Sequence, residues 1–257
     1  MPSEQHLSAN PLTEQSRERY SRHIRLSRFG IAAQRRLLDS RVLIIGVGGL
    51  GSPVALYLAA AGVGHLVLAD FDRVELSNLQ RQILHATGDL TRLKVESARD
   101  HLMALNPDVR VTPLARVLDE EELWEEVSRA DVVVDATDNF ESRFELNRVC
   151  VETKTPLVSG AAIRMEGQVT VFDARDKESP CYRCLYSDGI EEGETCSQVG
   201  VLSPLLGIIG SIQATETLKL LSGKGDPLIG RVLLLDAFGM AFRTMKLPKD
   251  PGCPVCG

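Results

Sequence analysis

The stretch from Arg41 to Arg81 constrains the chain more than any other. An apolar run, VLIIG at 42–46, empties into Gly46-Val47-Gly48-Gly49-Leu50-Gly51, and a second apolar run, HLVLADFD at 65–72, follows after a helical pattern. Strand, glycine loop, helix and strand in that order set a nucleotide on a helix N-terminus, where backbone N–H groups and the helix dipole face an anion. Gly46 allows the tight turn off the strand, Gly48 lets the backbone approach a phosphate, and Gly51 lets the helix pack closely on the sheet. Asp70 ends the second run 24 residues after Gly46, the separation of a carboxylate that hydrogen-bonds a ribose hydroxyl. A glycine-rich turn without a ligand is the bland alternative, and it leaves that acid unexplained. On these residues alone NAD remains open.

The rest of the chain repeats the alternation. Residues 13–39 read as two short helices broken near Gly30. A helix at 50–61 is closed by Gly62 and Gly64, and one at 92–105 is stopped by Asn106-Pro107. Strand 109–113 precedes an acidic helix (DEEELWEE, 119–126) with Leu123 and Val127 turned inward. Strand 131–136, helix 140–153 and strand 157–161 complete the pattern. The implied class is α/β, a Rossmann-like, mostly parallel sheet with helices on both faces. After Gly160 the segments QVTVFDA (168–174), RVLLLDA (231–237) and MAFRTMKL (240–247) are strand-like with hairpin punctuation. They should extend the sheet with antiparallel strands. Residues 1–12 read as a disordered tail and 13–257 as one domain, with no linker and no repeat.

Composition narrows the partners. A net charge of −6 argues against a general nucleic-acid binder, although residues 1–41 carry eight arginines against four acids. The first 20 residues lack the apolar core of a signal peptide. The apolar region 199–221 is broken by Ser203, Pro204, Gln213, Glu216 and Lys219, so it reads as a buried helix and not a membrane span. The expectation is a cytoplasmic enzyme with neither nucleic acid nor membrane as partner.

Arg81 and Lys94 follow the second strand, with Asn78 beside them. Loops leaving the C-terminal ends of parallel strands face the ligand crevice, and a pyrophosphate resting on amides needs few cations. Several cations there suit a triphosphate and a charged transition state, whereas by themselves they would read as a solvated helix start. Asp138, just after VVVDAT, offers an exposed carboxylate for Mg²⁺ beside the phosphates. Its bland role is an N-cap for helix 140–153, and the two are compatible. Cys181-x-x-Cys184 and Cys253-x-x-Cys256 form paired knuckles that suit a tetrahedral, four-thiolate structural zinc. Disulfides fit a cytoplasmic chain poorly, and a redox pair lacks a thioredoxin-like context. Cys150 reads as a core thiol. Cys196, after the acidic stretch 187–195, is a candidate nucleophile with no identifiable base.

The motifs GVGGLGS, LADFDRVELSNLQRQ, KVESAR, DATDN, LVSGAAIRMEGQ, PCYRCL and PGCPVCG, in that order, resemble the molybdopterin-synthase and sulfur-carrier adenylyltransferase family, the bacterial relatives of ubiquitin-activating enzymes. The resemblance covers about residues 13–257. It implies that ATP adenylylates the C-terminal Gly-Gly carboxylate of a small ubiquitin-like sulfur carrier and that pyrophosphate leaves, in molybdopterin synthesis or on a thiamine or tRNA-thiolation carrier. It implies nucleotide contacts from Gly46, Gly48, Gly49, Asp70, Ser77 and Thr137, phosphate contacts from Asn78, Arg81 and Lys94, and Mg²⁺ at Asp138. Arg22, in the segment YSRHIR, matches an arginine that reaches the neighbouring subunit's site, which implies a homodimer. The chain ends after the second CxxC, so a separate sulfurtransferase would supply sulfur. An NAD-dependent oxidoreductase would leave Arg81, Lys94 and the cysteine knuckles unexplained. A non-catalytic zinc-ribbon module would leave the nucleotide motif idle.

Overall fold

A computed structural model describes residues 12–186 and 199–257. Eight strands form one sheet: β1 (Arg41–Ile45), β2 (His65–Ala69), β3 (Arg110–Leu114), β4 (Val132–Asp135), β5 (Leu157–Ile163), β6 (Glu166–Phe172), β7 (Arg231–Asp236) and β8 (Ala241–Lys246). The spatial order is β3-β2-β1-β4-β5-β6-β7-β8. The first five pair in parallel, and β5 to β8 continue antiparallel. The doubly wound half and its antiparallel extension both follow the sequence expectation.

The central strands are apolar without interruption because both their faces are covered. Val42 and Ile44 of β1 enter one core, and Leu43 between them enters the other. Val132 and Val134 of β4 split from Val133 in the same way. The first core lies beneath α4 (Gly51–Ala61), α5 (Lys94–Leu105) and the long C-terminal helix Ser203–Ser222. The second lies beneath α6 (Glu120–Ser128) and α7 (Phe140–Thr153), with Leu123 and Val127 buried as expected. Gly62, at φ +83°, caps α4 in the left-handed region, and its N–H donates to Ala59 O.

The N-terminal segment differs from expectation. It forms three helices, α1 (Glu14–Arg19), α2 (Ser21–Ile24) and α3 (Gly30–Asp39): the expected break near Gly30 is present, and a second break divides the first of the expected helices. The extra break falls at Tyr20, which is buried against the end of α4 and whose hydroxyl accepts from Asn106 Nδ2 at 2.9 Å. Anchoring that ring turns the chain between α1 and α2. Of the expected tail, residues 1–11 lie outside the described residues, and Leu12 O accepts from Arg17 Nε at 3.2 Å. With α8 (Tyr182–Leu185) counted, Ser203–Ser222 is α9. It packs on α4, β5 and β6, and no helix among the described residues is long and apolar enough to cross a membrane.

Candidate active site and four-cysteine cluster

The C-terminal ends of β1, β2 and β4 open into a cleft of about 760 Å³, walled on its far side by β5 to β8. That size is ordinary for a small-ligand site. Gly46, Gly48 and Gly49 form one edge, Asp70, Arg81 and Lys94 a second, and Thr137 and Asp138 a third. Gly46 takes φ +88°, and a Cβ on it would lie 2.7 Å from Ala136 O. A Cβ on Gly51 would come within 2.0 Å of Gly46 O, so α4 starts hard against its own loop. Gly49 also has a packing reason: its Cβ would meet Leu206 of α9 at 2.7 Å.

Asp70 organises the loop through both oxygens. Val47 N–H donates to Oδ2 at 2.8 Å, and Asp72 N–H donates to Oδ1 at 2.9 Å. Lys94, the first residue of α5, is buried, and its Nζ donates to Asp72 Oδ2 at 2.8 Å. Arg81 is half-buried, lines the cleft and donates from Nη1 to Ser77 O at 2.9 Å, a bond that uses one of its five N–H donors.

Ser77 and Asn78 do not join this lining. Asn78 is buried and its Oδ1 accepts from Glu75 N–H at 3.2 Å, capping the turn Leu76–Asn78. Ser77 is exposed and donates to Glu75 Oε2 at 3.3 Å. Arg22 lies exposed on α2, outside this chain's cleft. Cys196 and the stretch before it lie outside the described residues.

Asp138 is exposed in the cleft, and no hydrogen bond or ion pair reaches its carboxylate among the described residues. The capping role belongs to its neighbour: Asn139 Oδ1 accepts from Ser142 N–H at 2.9 Å. The loop beneath is held by a buried network that has no counterpart among the sequence expectations. Asp135 Oδ1 accepts from Thr137 N–H (3.0 Å) and Thr137 Oγ1 (2.7 Å), and its Oδ2 accepts from Ser159 Oγ (2.7 Å) with Arg143 Nε 3.6 Å away. Arg143 also donates to Gly160 O at 3.2 Å. Burial works against the guanidinium charge, but Asp135 together with Tyr182 and Tyr186 outweighs it, so the charge is held more firmly than usual. Gln82, Gln168 and Arg243 line the cleft as well. Gln82 follows the turn that carries Arg81, whereas Gln168 and Arg243 lie within β6 and β8, where no local sequence signal marks them.

The four cysteines meet where α8 and the C-terminal segment join. Their sulfurs lie within 4.8 Å of one another, with Cys181 to Cys253 at 3.6 Å and Cys184 to Cys256 at 3.5 Å. Those separations are far beyond a disulfide bond. They match the spacing of about 3.8 Å that tetrahedral Zn–S bonds of about 2.3 Å impose. Cys181 N–H and Asp250 N–H each approach Cys184 Sγ at 3.5 Å. The cluster fits a four-thiolate metal with no open position. Cys150 stands apart, buried, with burial holding its thiol protonated.

Residues 20–255 match the ThiF family. Among curated relatives, the molybdopterin-synthase adenylyltransferase of Escherichia coli K12 is 52% identical over 246 residues, covering 96% of this chain and 98% of its own. The sulfur carrier protein ThiS adenylyltransferase of the same organism is 48% identical over 239 residues, covering 93% of this chain and 94% of its own. Among solved structures, E. coli MccB with AMPCPP and MccA shares the fold at a TM-score of 0.80 and 23% identity, over 93% of this chain and 74% of that one.

Proposed function

The chain belongs to the ThiF family, and from that premise we propose that it uses ATP to adenylylate the C-terminal Gly-Gly carboxylate of a ubiquitin-like sulfur carrier for molybdopterin synthesis. A carboxylate oxygen of the carrier bonds to the α-phosphorus, the bond from that phosphorus to the bridging oxygen breaks, and pyrophosphate departs with the electron pair. The observation that carries the reading is the meeting in one cleft of the glycine loop, Arg81, Lys94 and an Asp138 carboxylate that has no partner among the described residues.

Attack of one anion on another needs positioning and positive charge more than a general base. The glycine loop seats the nucleotide, and Asp70 and Thr137 border it. Arg81 and Lys94 hold the phosphates, Lys94 exchanging its contact with Asp72 for a phosphate oxygen. Ser77 and Asn78 act on the nucleotide through the turn that carries Arg81, since Asn78 Oδ1 caps that turn. Asp138 would hold Mg²⁺, which supplies charge neutralisation for the departing pyrophosphate. The hairpin of β7 and β8 lines the cleft and leaves Phe238, Phe242 and Met245 exposed, a surface suited to a protein substrate. The cysteine cluster would hold a structural Zn²⁺. Arg22 is exposed and does not line this chain's cleft, in keeping with service to a second subunit in a homodimer, and a separate sulfurtransferase would act on the adenylate. The relative that acts on the protein named ThiS supports the same chemistry on a thiamine-pathway carrier.

The deciding experiment is ATP–pyrophosphate exchange with each candidate carrier ending in Gly-Gly. Exchange that requires the carrier's last glycine is expected. No exchange with any carrier, together with tight NAD binding, would overturn the reading.

A further inference from the structure

His85 is a buried titratable group with no place in the steps above. It lies at 7% exposure under the glycine loop, beyond the turn that carries Arg81. Its Nε2 stands 3.1 Å from Val47 O, and its Nδ1 stands 2.9 Å from Ser97 Oγ on α5. A carbonyl oxygen only accepts, so Nε2 must carry the proton. Burial, with Lys94 nearby, favours the neutral ring against the opposing pull of the Val47 carbonyl, Asp89 and Asp70. Nδ1 is then bare and accepts from the Ser97 hydroxyl. One tautomer satisfies both partners.

This ring closes a clamp on a single residue. Val47 sits between Gly46 and Gly48 with its N–H donated to Asp70 and its C=O accepting from His85. The C=O of Val47 and the N–H of Gly48 share one planar trans peptide and point in opposite directions. Holding the carbonyl on the buried ring therefore turns the Gly48 N–H away from the interior. No hydrogen bond takes that N–H among the described residues, and Gly48 lines the cleft. Ser97 lies one helical turn beyond Lys94, so the same ring ties the loop to the helix that carries the phosphate-facing ammonium.

We propose that His85 is a positioning residue of the nucleotide site: through Val47 it aims the Gly48 amide at the ligand, and through Ser97 it fixes Lys94 relative to that amide. The inference rests on the nucleotide reading of the cleft and adds the group that pre-orients it.

The test compares His85→Leu, which removes both bonds, with His85→Gln, which keeps an N–H donor in reach of Val47 O. ATP affinity is measured by calorimetry, and KM and kcat by pyrophosphate exchange. Imidazole ¹⁵N spectra of the wild-type protein report the tautomer. His85→Leu should weaken ATP about tenfold or more and raise the KM for ATP while leaving the carrier's KM in place. His85→Gln should recover most of that loss, and the spectra should show a neutral ring protonated on Nε2. A folded His85→Leu with wild-type ATP affinity, a His85→Gln as impaired as His85→Leu, or a ring protonated on Nδ1 alone would each overturn the inference. If His85→Leu does not fold, His85→Gln and the spectra decide. A wild-type protein that binds no ATP would instead refute the nucleotide reading itself.

Discussion

Substituting Gly48 separates a ligand's demand on the glycine loop from the fold's own demand. A Cβ built on Gly48 has Gln82 Nε2 as its nearest neighbour at 3.4 Å, an ordinary contact, so Gly48→Ala should fold without strain. Alanine at a compatible site lowers unfolded-chain entropy, worth about 0.4–1 kcal/mol, or about 1–4 °C in thermal midpoint for a chain of this size. The methyl nevertheless stands at the loop edge of the cleft, where the amide should meet a phosphate. Displacing the reacting phosphate by about 1 Å costs about 10²-fold in rate, or about 2.7 kcal/mol. Gly51→Ala should behave in the opposite way. Its Cβ would lie 2.0 Å from Gly46 O, and reaching an ordinary 3.4 Å requires the loop and α4 to part by roughly 1.4 Å. Overpacking of that kind costs about 1–3 kcal/mol of stability. Thermal unfolding and ATP–pyrophosphate exchange on both variants give the comparison. A Gly48→Ala protein that keeps the wild-type KM for ATP, or that loses stability as Gly51→Ala does, would refute the assignment of Gly48 to the ligand.

Asp138→Asn should lower exchange by about 10²–10³-fold with the thermal midpoint unchanged, because no described group depends on that carboxylate. Its neighbour Asn139→Ala should lose about 1 kcal/mol of stability with the cap while exchange largely survives, and a reversed pattern would exchange their roles. Cys253→Ser should reduce bound zinc below one per chain in elemental analysis and lower the thermal midpoint, whereas Cys150→Ser should leave zinc in place; equal zinc in both would remove the knuckle assignment. Burial holds the folded His85 pKa below its ordinary 6.5, so the unfolded chain takes up that proton first as pH falls. Stability should therefore drop as pH moves down from about 6.5 toward the depressed folded value, and His85→Gln should show a shallower drop in urea midpoints. An equal slope in both proteins would contradict this, since His65, also lowered, is common to the two.

The fold was legible because its signals are local. Alternate residues of β1 and β4 feed opposite cores, and that arrangement leaves an unbroken apolar run in the sequence. Gly62 and Asn106 stop their helices by chemistry carried within a few residues. The break at Tyr20 was illegible for the opposite reason. Its partner, Asn106, lies 86 positions away, and nothing near Tyr20 announces the anchor.

The site divides along the same line. Glycines that leave a strand and carboxylates at strand ends are marked by position, so Gly46, Gly48, Asp70 and Asp138 came directly from the pattern. Asn78 and Asn139 show where position misleads, because a short polar side chain beside a ligand loop serves equally well as a cap. Sequence could offer Asp138 both roles; the structure gives the cap to Asn139 and, among the described residues, leaves the Asp138 carboxylate without a partner. Arg143, Asp135 and His85 were missed because a buried polar group is defined by partners distant in sequence. Burying such a group unpaired is costly, so each must find specific acceptors or donors. In this chain those partners are the peptides on either side of the cleft: Val47 in the glycine loop, and Thr137 in the loop before Asp138. The residues that line the cleft beside the glycine loop can be read from spacing, while the ones that hold their backbone still emerge only when the sheet has brought the two loops together.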